Sequence, residues 1–385
     1  MSLSPSPLLF GLKLHHGLAH LCRSGCSRFP QQVGCQRWPE TSGIRLALRR
    51  AARLSNALVG QGLRLGTRVG VRLGNRVEHV EVDLALALSG MVRVALKPSL
   101  SLTEFERIVV ECGVRALVTD VPMTAWLEER SDREGDMTLI HVGSEARSGS
   151  SFEYESLIAS ASSVPPALPD LSDNAAWIYY TSGTTANPKG VILSHQAVVR
   201  ALRGLTTTLG FTNSSRLHVP LHLSEANGYY ALACLGRGGQ VRIDAQYSTD
   251  RLAHVATEGI DTVHLTARQM KGLLSLKSLG AIRALVYGSA PVLRDLLETF
   301  ITKFGQVFIQ IYGQSEAPVS ITRLALEEHR IGARELLRRI DGDVRPHESD
   351  PVGDRDLDRA RRAGLDRLRR KRTLHLALSR FGFLP

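Results

Sequence analysis

Aromatic residues make up only 5% of this chain, and no stretch of it carries an RNA- or DNA-binding signature. No nucleic-acid partner is therefore expected. Cysteine is also sparse: Cys22, Cys26, Cys35, Cys112 and Cys234 are odd in number and mostly dispersed, which argues against a disulfide framework and for a reducing compartment. Cys22 and Cys26 have the spacing of one helical face, but no Cys/His pair follows at zinc-finger spacing, so they read as incidental thiols. Nowhere is there an apolar run long enough to span a bilayer. The segment from Pro7 to Leu12 is too short for the apolar core of a signal peptide and no basic residue precedes it. A cytoplasmic protein is expected.

What the chain does have is apolar residues, 43% of 385, enough to bury a large core in two or more structural units. Residues 1–27 carry little pattern. From Ile44 to Leu63, Leu46, Leu48, Ala52, Leu54 and Leu58 fall on or near one face with arginines elsewhere, predicting an amphipathic helix against a sheet. Arg68 to Leu73 alternates as a strand, Gly74-Asn75 turns, and Val80 to Leu88 reads as a helix closed by Gly90. Strand-like Met91 to Leu96, helical Thr103 to Cys112 and strand-like Val114 to Val118 repeat the order, so successive β-α units predict a parallel sheet. Ser144 to Asp173, rich in Ser, Pro and Ala, reads as a loop. Helices over Ala197 to Leu209, Tyr229 to Leu235, Ala267 to Leu276 and Leu293 to Phe304 then alternate with strands at Arg216 to Leu221, Asp261 to Leu265, Ala284 to Tyr287 and Val307 to Ile311. The fold class expected is α/β, with layered parallel β-sheets flanked by helices.

One stretch organises the rest. The apolar run from Ala175 to Tyr180 reads as a buried strand and empties into small, hydroxylated residues before a helical pattern after Ser194. Such a loop suits a polyphosphate: Gly183 admits close backbone approach, Thr181, Ser182, Thr184 and Thr185 offer hydroxyls, and Lys189 adds a positive charge. It is not a Walker A loop, because no glycine stands immediately before Lys189 and no Ser or Thr immediately after. An ordinary polar loop is the alternative.

Two later turns also fall after predicted strands. Gly288-Ser289-Ala290-Pro291 sits where open α/β sheets bind ligands, although a helix-starting turn would look the same. Tyr312-Gly313-Gln314-Ser315-Glu316 puts an aromatic, a hydroxyl and a carboxylate on one tight turn, able to meet a purine face, a phosphate oxygen and a magnesium ion.

The ordered string from Tyr179 to His195, YYTSGTTANPKGVILSH, resembles the phosphate-loop signature of the adenylate-forming superfamily, with Ala186 where that family usually has glycine. Gly288 to Pro291 resembles its Gly-Gly-Ala-Pro turn, with Ser289 for one glycine, and Tyr312 to Glu316 its Tyr-Gly-x-Thr-Glu signature in a form associated with acyl-CoA synthetases. The early segments GLRLGTRVGVRLGNRVEHV and SGMVRVALKPSLS also resemble that family, as scaffold. The resemblance covers about residues 28–326 and implies activation of a small carboxylic acid by ATP and Mg²⁺, with CoA as co-substrate. It implies catalytic roles for Thr184, Lys189 and Glu316, with Glu316 holding the metal. Adenine would lie against the Gly288 turn and Tyr312, with Ser315 at the α-phosphate. His222, Asn227, Tyr230 and Gly313 are candidates for the acid pocket. His222 stays open between a ligand contact and a histidine satisfying a backbone carbonyl, because Pro220-Leu221-His222 is one residue shorter than the family's pattern. For a formal charge of +11, ATP and CoA are sufficient anionic partners. The acid itself, aromatic, medium-chain or long-chain, stays open, as does the oligomeric state.

Past about Leu326 the character changes. Residues 327–385 are crowded with arginine and aspartate, and neither the family's Thr-Gly-Asp segment nor its C-terminal Pro-Lys-x-x-x-Gly-Lys segment is found. The expectation is a truncated or frame-shifted tail with impaired or absent turnover; a native basic tail is the competing reading. Loading of a carrier protein, or ligand binding without turnover, are the functional alternatives.

Overall fold

Two sheets and the helices between and around them position everything that follows. In this computed structural model the described residues are 44–121, 123, 126, 137–143, 151–168, 170–181 and 189–329. All of them belong to the first of two units into which the chain divides, the one that runs to Gly332. Expectations for residues 1–43, for Ser182 to Pro188 and for residues 330–385 lie outside the described residues.

The first sheet takes β1 (Arg68–Arg72), β2 (Val92–Ala95), β3 (Ala116–Thr119), β4 (Thr138–His141), β5 (Ser151–Glu153), β6 (Ala175–Thr181) and β7 (Lys189–Ser194), in the order β5-β4-β3-β1-β2-β6-β7. The second takes β8 (Arg216–Val219), β9 (Gln240–Ile243), β10 (Thr262–Thr266), β11 (Ala284–Gly288), β12 (Phe308–Gln314) and β13 (Ala317–Leu324), in the order β13-β12-β11-β10-β8-β9. Every pairing is parallel except β6 with β7 and β12 with β13. Layered parallel sheets flanked by helices is thus the observed fold class.

The connecting helices are α1 (Ile44–Gly60), α2 (Val77–Ser89), α3 (Leu102–Cys112), α4 (Tyr154–Ala159), α5 (His195–Leu209), α6 (Ala226–Gly236), α7 (Thr249–Thr257), the short α8 (Ala267–Met270) and α9 (Arg294–Phe304). Helix α3 starts where Ser101 and Glu104 form a reciprocal capping box and stops at Gly113 in the left-handed conformation. Helices α2 and α6 differ from the others in that burial runs unbroken from His79 to Ser89 and from Asn227 to Leu235. A helix buried on all sides belongs between layers. Both contribute to one core with the inward faces of the two sheets, while Val92, Val94, Phe105, Ile108 and Leu117 form a second core on the other side of the first sheet.

Polar residues in α2 are carried into that interior with partners. Glu81 pairs with Arg50 at 2.7 Å and accepts the Tyr154 hydroxyl at 2.7 Å. Asp83 faces Arg93 of β2 at 2.6 Å, both within 2% of full burial. Just before α2, the Asn75 side chain donates to the Leu221 carbonyl at 2.8 Å and the Asp244 carbonyl at 3.1 Å, and accepts the Leu223 N–H at 2.9 Å.

Three expectations change. The phosphate strand is followed by an antiparallel partner before α5, and β7 alternates as a strand should, with Val191 half-buried, Leu193 buried and Ile192 65% exposed between them. The stretch from Ser144 to Asp173 holds more than loop: β5 extends the sheet edge, and Glu153 caps α4 by accepting the N–H groups of Glu155 and Ser156. The helix expected over Ala267 to Leu276 is one turn of α-helix continued as a 3₁₀ segment, Lys271–Ser275.

Candidate active site

A cavity of about 600 Å³ opens where β6, β10, β11 and β12 end and α6 begins. Parallel strands release their loops at these carboxyl ends, which is where α/β sheets bind ligands. Tyr179 and Tyr180 come from the phosphate strand, Gly288 and Ser289 from the end of β11, and Gly313, Gln314 and Ser315 from the end of β12.

The first motif is described at its two ends. Thr181 closes β6 and lies opposite Lys189, the first residue of β7 and exposed, so the hairpin ladder brings the two ends together. Ser182, Gly183, Thr184 and Thr185 lie outside the described residues.

The second turn shows why small residues are required. A Cβ on Gly288 would collide with the Ile311 carbonyl oxygen of the neighbouring strand. Ser289 has φ 64°, the left-handed region that glycine adopts without cost. Ala290 and Pro291 are exposed and do not border the cavity.

The third motif is a hairpin. Gln314 pairs with Ala317, leaving Ser315 and Glu316 as its two-residue turn. Tyr312 is 57% exposed and Glu316 is exposed at the tip, and neither borders the cavity; Ser315 does. Among the described residues there is no group of three or more His, Cys, Asp or Glu side chains placed to hold a metal ion. A lone carboxylate beside a hydroxyl still suits Mg²⁺, which keeps waters and is bound through one or two carboxylates plus substrate phosphates.

Of the acid-pocket candidates, Asn227, Tyr230 and Gly313 border the cavity, whereas His222 is exposed and does not. Lys97 and Glu225 form an ion pair and both border the cavity. Behind the wall the Arg93 guanidinium donates to the Tyr179 hydroxyl at 2.9 Å, lies over the Trp177 ring at 5.0 Å and meets His79 Nε2 at 3.1 Å. Burial pushes the Tyr179 phenol up to about 12, and Tyr179 in turn packs over Tyr229. Burial pushes the Asp83 carboxyl up to about 6 against the pull of Arg93, and lowers His79 to about 3 with help from the same guanidinium.

Ser224, His264 and Thr266 also border the cavity and were not singled out by sequence. His264 sits mid-strand in a sequence, TVHLT, that reads as core, and only the sheet register, His264 beside Val286 and Thr266 beside Gly288, brings it next to the ligand turn.

A cavity at strand ends, bordered by the end of β6 and by two small-residue turns after β11 and β12, is the form of a ligand site on an α/β body. The family model for AMP-binding enzymes matches residues 44–338, and the chain belongs to that adenylate-forming family. Among curated relatives, it is 26% identical over 299 residues to a medium/long-chain-fatty-acid–CoA ligase, FadD8, of Mycobacterium tuberculosis, covering 73% of this chain and 51% of that protein. It is 27% identical over 279 residues to feruloyl-CoA synthase of an Amycolatopsis species, covering 70% and 53%. The chain thus spans about half the length of the curated relatives it matches. In fold it is similar to ATP-bound MatB of Rhodopseudomonas palustris, with TM-score 0.72 at 22% identity over 80% of this chain and 62% of that one. No helix among the described residues is long and apolar enough to cross a membrane.

Proposed function

We propose that the cavity takes ATP and a carboxylic acid side by side and that the chain's chemistry is acyl-adenylate formation, the first half of AMP-forming acyl-CoA synthesis. The observation that carries this reading is the meeting of Tyr180, Ser289 and Ser315, one from each motif, on one cavity. Adenine lies against the Gly288 turn, Ser315 donates its hydroxyl to the α-phosphate, and the loop from Thr181 to Lys189, with Thr184 and Lys189, holds the β- and γ-phosphates. Bound Mg²⁺ would supply charge neutralisation on the phosphates, held by Glu316. A carboxylate oxygen of the acid attacks the α-phosphorus, the bond to pyrophosphate breaks, and acyl-AMP forms. The CoA thiol then attacks the acyl carbon and displaces AMP. The free thiols of Cys112 and Cys234 suit a reducing, cytoplasmic setting.

Acid-dependent ATP–pyrophosphate exchange by the full chain tests this. The expected result is exchange that an acid stimulates and that both Lys189→Ala and Glu316→Ala reduce on the order of 10²-fold or more. ATP binding without exchange for any acid overturns the ligase reading and leaves a binding protein. Transfer of the acyl group to a carrier protein in preference to CoA overturns the second half alone.

A further inference from the structure

Arg93 belongs to none of the cavity motifs, yet its guanidinium is directed at the back of the cavity wall. It stands on β2 beside Trp177 of β6 in the sheet register and is completely buried. Its Nε faces the Asp83 carboxylate of α2 at 2.6 Å. Its Nη1 donates to the Tyr179 hydroxyl at 2.9 Å, and its Nη2 meets His79 Nε2 at 3.1 Å and, weakly, the Leu223 carbonyl at 3.5 Å. Burial lowers His79 to about 3, so its ring is neutral and accepts that bond at Nε2. The flat head lies over the rings of Trp177 and Tyr179, 5.0 and 5.4 Å from their centroids.

Stability alone does not call for this arrangement. The attraction within a buried ion pair does little more than offset the desolvation of both charges, and apolar residues of similar volume serve as well or better. What apolar residues cannot do is hold a phenol by its hydroxyl. A guanidinium is a rigid fork with fixed donor directions, and two of its nitrogens here reach the cavity wall. Tyr179 borders the cavity and stands two residues before Thr181, where β6 ends, so the two share a face of the strand at the start of the phosphate loop. Leu223 lies between β8 and α6, in a segment whose Leu221, Ser224 and Glu225 border the cavity. The Tyr179 ring also stacks on Tyr229 of α6, with centroids 6.2 Å apart and planes 22° from parallel. Tyr179 is thus held at its tip by Arg93 and on its face by Tyr229.

Resting on the acid-activating reading above, we infer that Arg93 is a positioning residue for the ligand cavity. Held by Asp83, it fixes the Tyr179 side chain and with it the end of the phosphate strand, and it touches no ligand itself. Without that hold the Tyr179 ring turns into the cavity and the strand end loosens. Nucleotide affinity then falls even where the fold is as stable as before.

ATP binding to the full chain, measured by titration calorimetry, tests this through a double-mutant cycle. One arm is Tyr179→Phe, which keeps the ring and removes the hydroxyl. The other is Arg93→Met with Asp83→Leu, which removes the fork together with the carboxylate that it would leave unpaired. Each arm is expected to weaken ATP binding about tenfold, the strength of one well-made hydrogen bond. Tyr179→Phe added to the Arg93→Met, Asp83→Leu chain is expected to cost less than about twofold more. An equal cost of Tyr179→Phe in both backgrounds, or unchanged ATP affinity in the Arg93→Met, Asp83→Leu chain, overturns the inference. Hydrogen exchange on the ligand-free chain supplies a second readout: amides of residues 179–181 and 223–225 are expected to exchange about tenfold faster in each arm while those of β3 and β4 keep their rates. If the unaltered chain binds no ATP, the nucleotide reading fails, and exchange still decides this one: acceleration confined to those two segments upholds it, and unchanged or uniformly faster exchange overturns it. Should the Arg93→Met, Asp83→Leu chain not fold, Tyr179→Phe decides alone, with unchanged affinity and exchange overturning the inference.

Discussion

Gly313 and Val319 touch backbone to backbone across the β12–β13 hairpin: a Cβ at residue 313 would stand 2.7 Å from the Val319 amide nitrogen and 2.8 Å from its Cα. Val319 is itself at φ 63°, a region that a β-branched residue enters only when its surroundings force it. The close approach fixes the hairpin that presents Ser315 to the cavity. Gly313→Ala is expected to cost about 1–3 kcal/mol, because main chain cannot step aside as a side chain can. It should also weaken ATP binding. Thermal unfolding and an ATP titration check both; an unchanged melting temperature would show that the hairpin yields freely.

Ser289 holds a left-handed conformation with a side chain attached. Its replacement by glycine removes roughly 1–2 kcal/mol of strain and returns roughly 0.5–1 kcal/mol in unfolded-chain entropy. Ser289→Gly should therefore stabilise the protein by up to about 1 kcal/mol in urea unfolding. A loss of stability would mean that the serine hydroxyl holds the turn.

Removing one partner of the buried Asp83–Arg93 pair leaves a charge in the core. Arg93→Met is expected to destabilise by about 3–5 kcal/mol, and adding Asp83→Leu to recover most of it. Denaturant melts of the single and double variants measure this. Equal stability of the two would show that packing, and not charge, sets the cost.

Acid should loosen the fold before the carboxylates titrate. Burial lowers His79 to about 3 and His195 and His264 to about 4, against an ordinary value of 6.5. Between those values the unfolded chain binds more protons than the native one, so the stability these residues contribute is fully present above about pH 6.5 and is lost as pH falls toward 4. The slope is at most about 1.4 kcal/mol per pH unit for each histidine. Asp83, raised to about 6, works the other way below that pH and offsets one of the three. Neither ring nitrogen of His195 has a hydrogen-bond partner, so His195→Leu should flatten the loss between pH 7 and pH 5 in urea melts. An unaltered slope would place the titration elsewhere.

The sequence made most of this legible where signals were long or chemically marked. The alternation of apolar strands with periodic helices located α1, α5, α9 and β12 within a few residues. It did not show β7, because Lys189-Gly190 looks like loop and only Val191 and Leu193 point inward. Nor did it show β5 and α4, which at three and six residues are too short to display a period. The cavity turns were visible as Gly288-Ser289 and Gly313-Gln314-Ser315 because close backbone approach restricts residue type. His264 and Ser224 were invisible for the opposite reason: a polar residue in a buried strand or turn acquires a role only from what the register sets beside it.

Asn75 holds Leu221, Leu223 and Asp244 across 146 to 169 residues of chain, although it sits at the tip of the first strand. Every strand of the first sheet has been made by Ser194, yet the Asn75 amide finds its first partner only at Leu221 and its last at Asp244. Contacts of such long range are the slow ones in folding, because the intervening loop must close before they are rewarded. The nascent first sheet is therefore a half-finished object that waits for the second. Asn75 thus ties the end of β1 in the first sheet to the segments that follow β8 and β9 in the second.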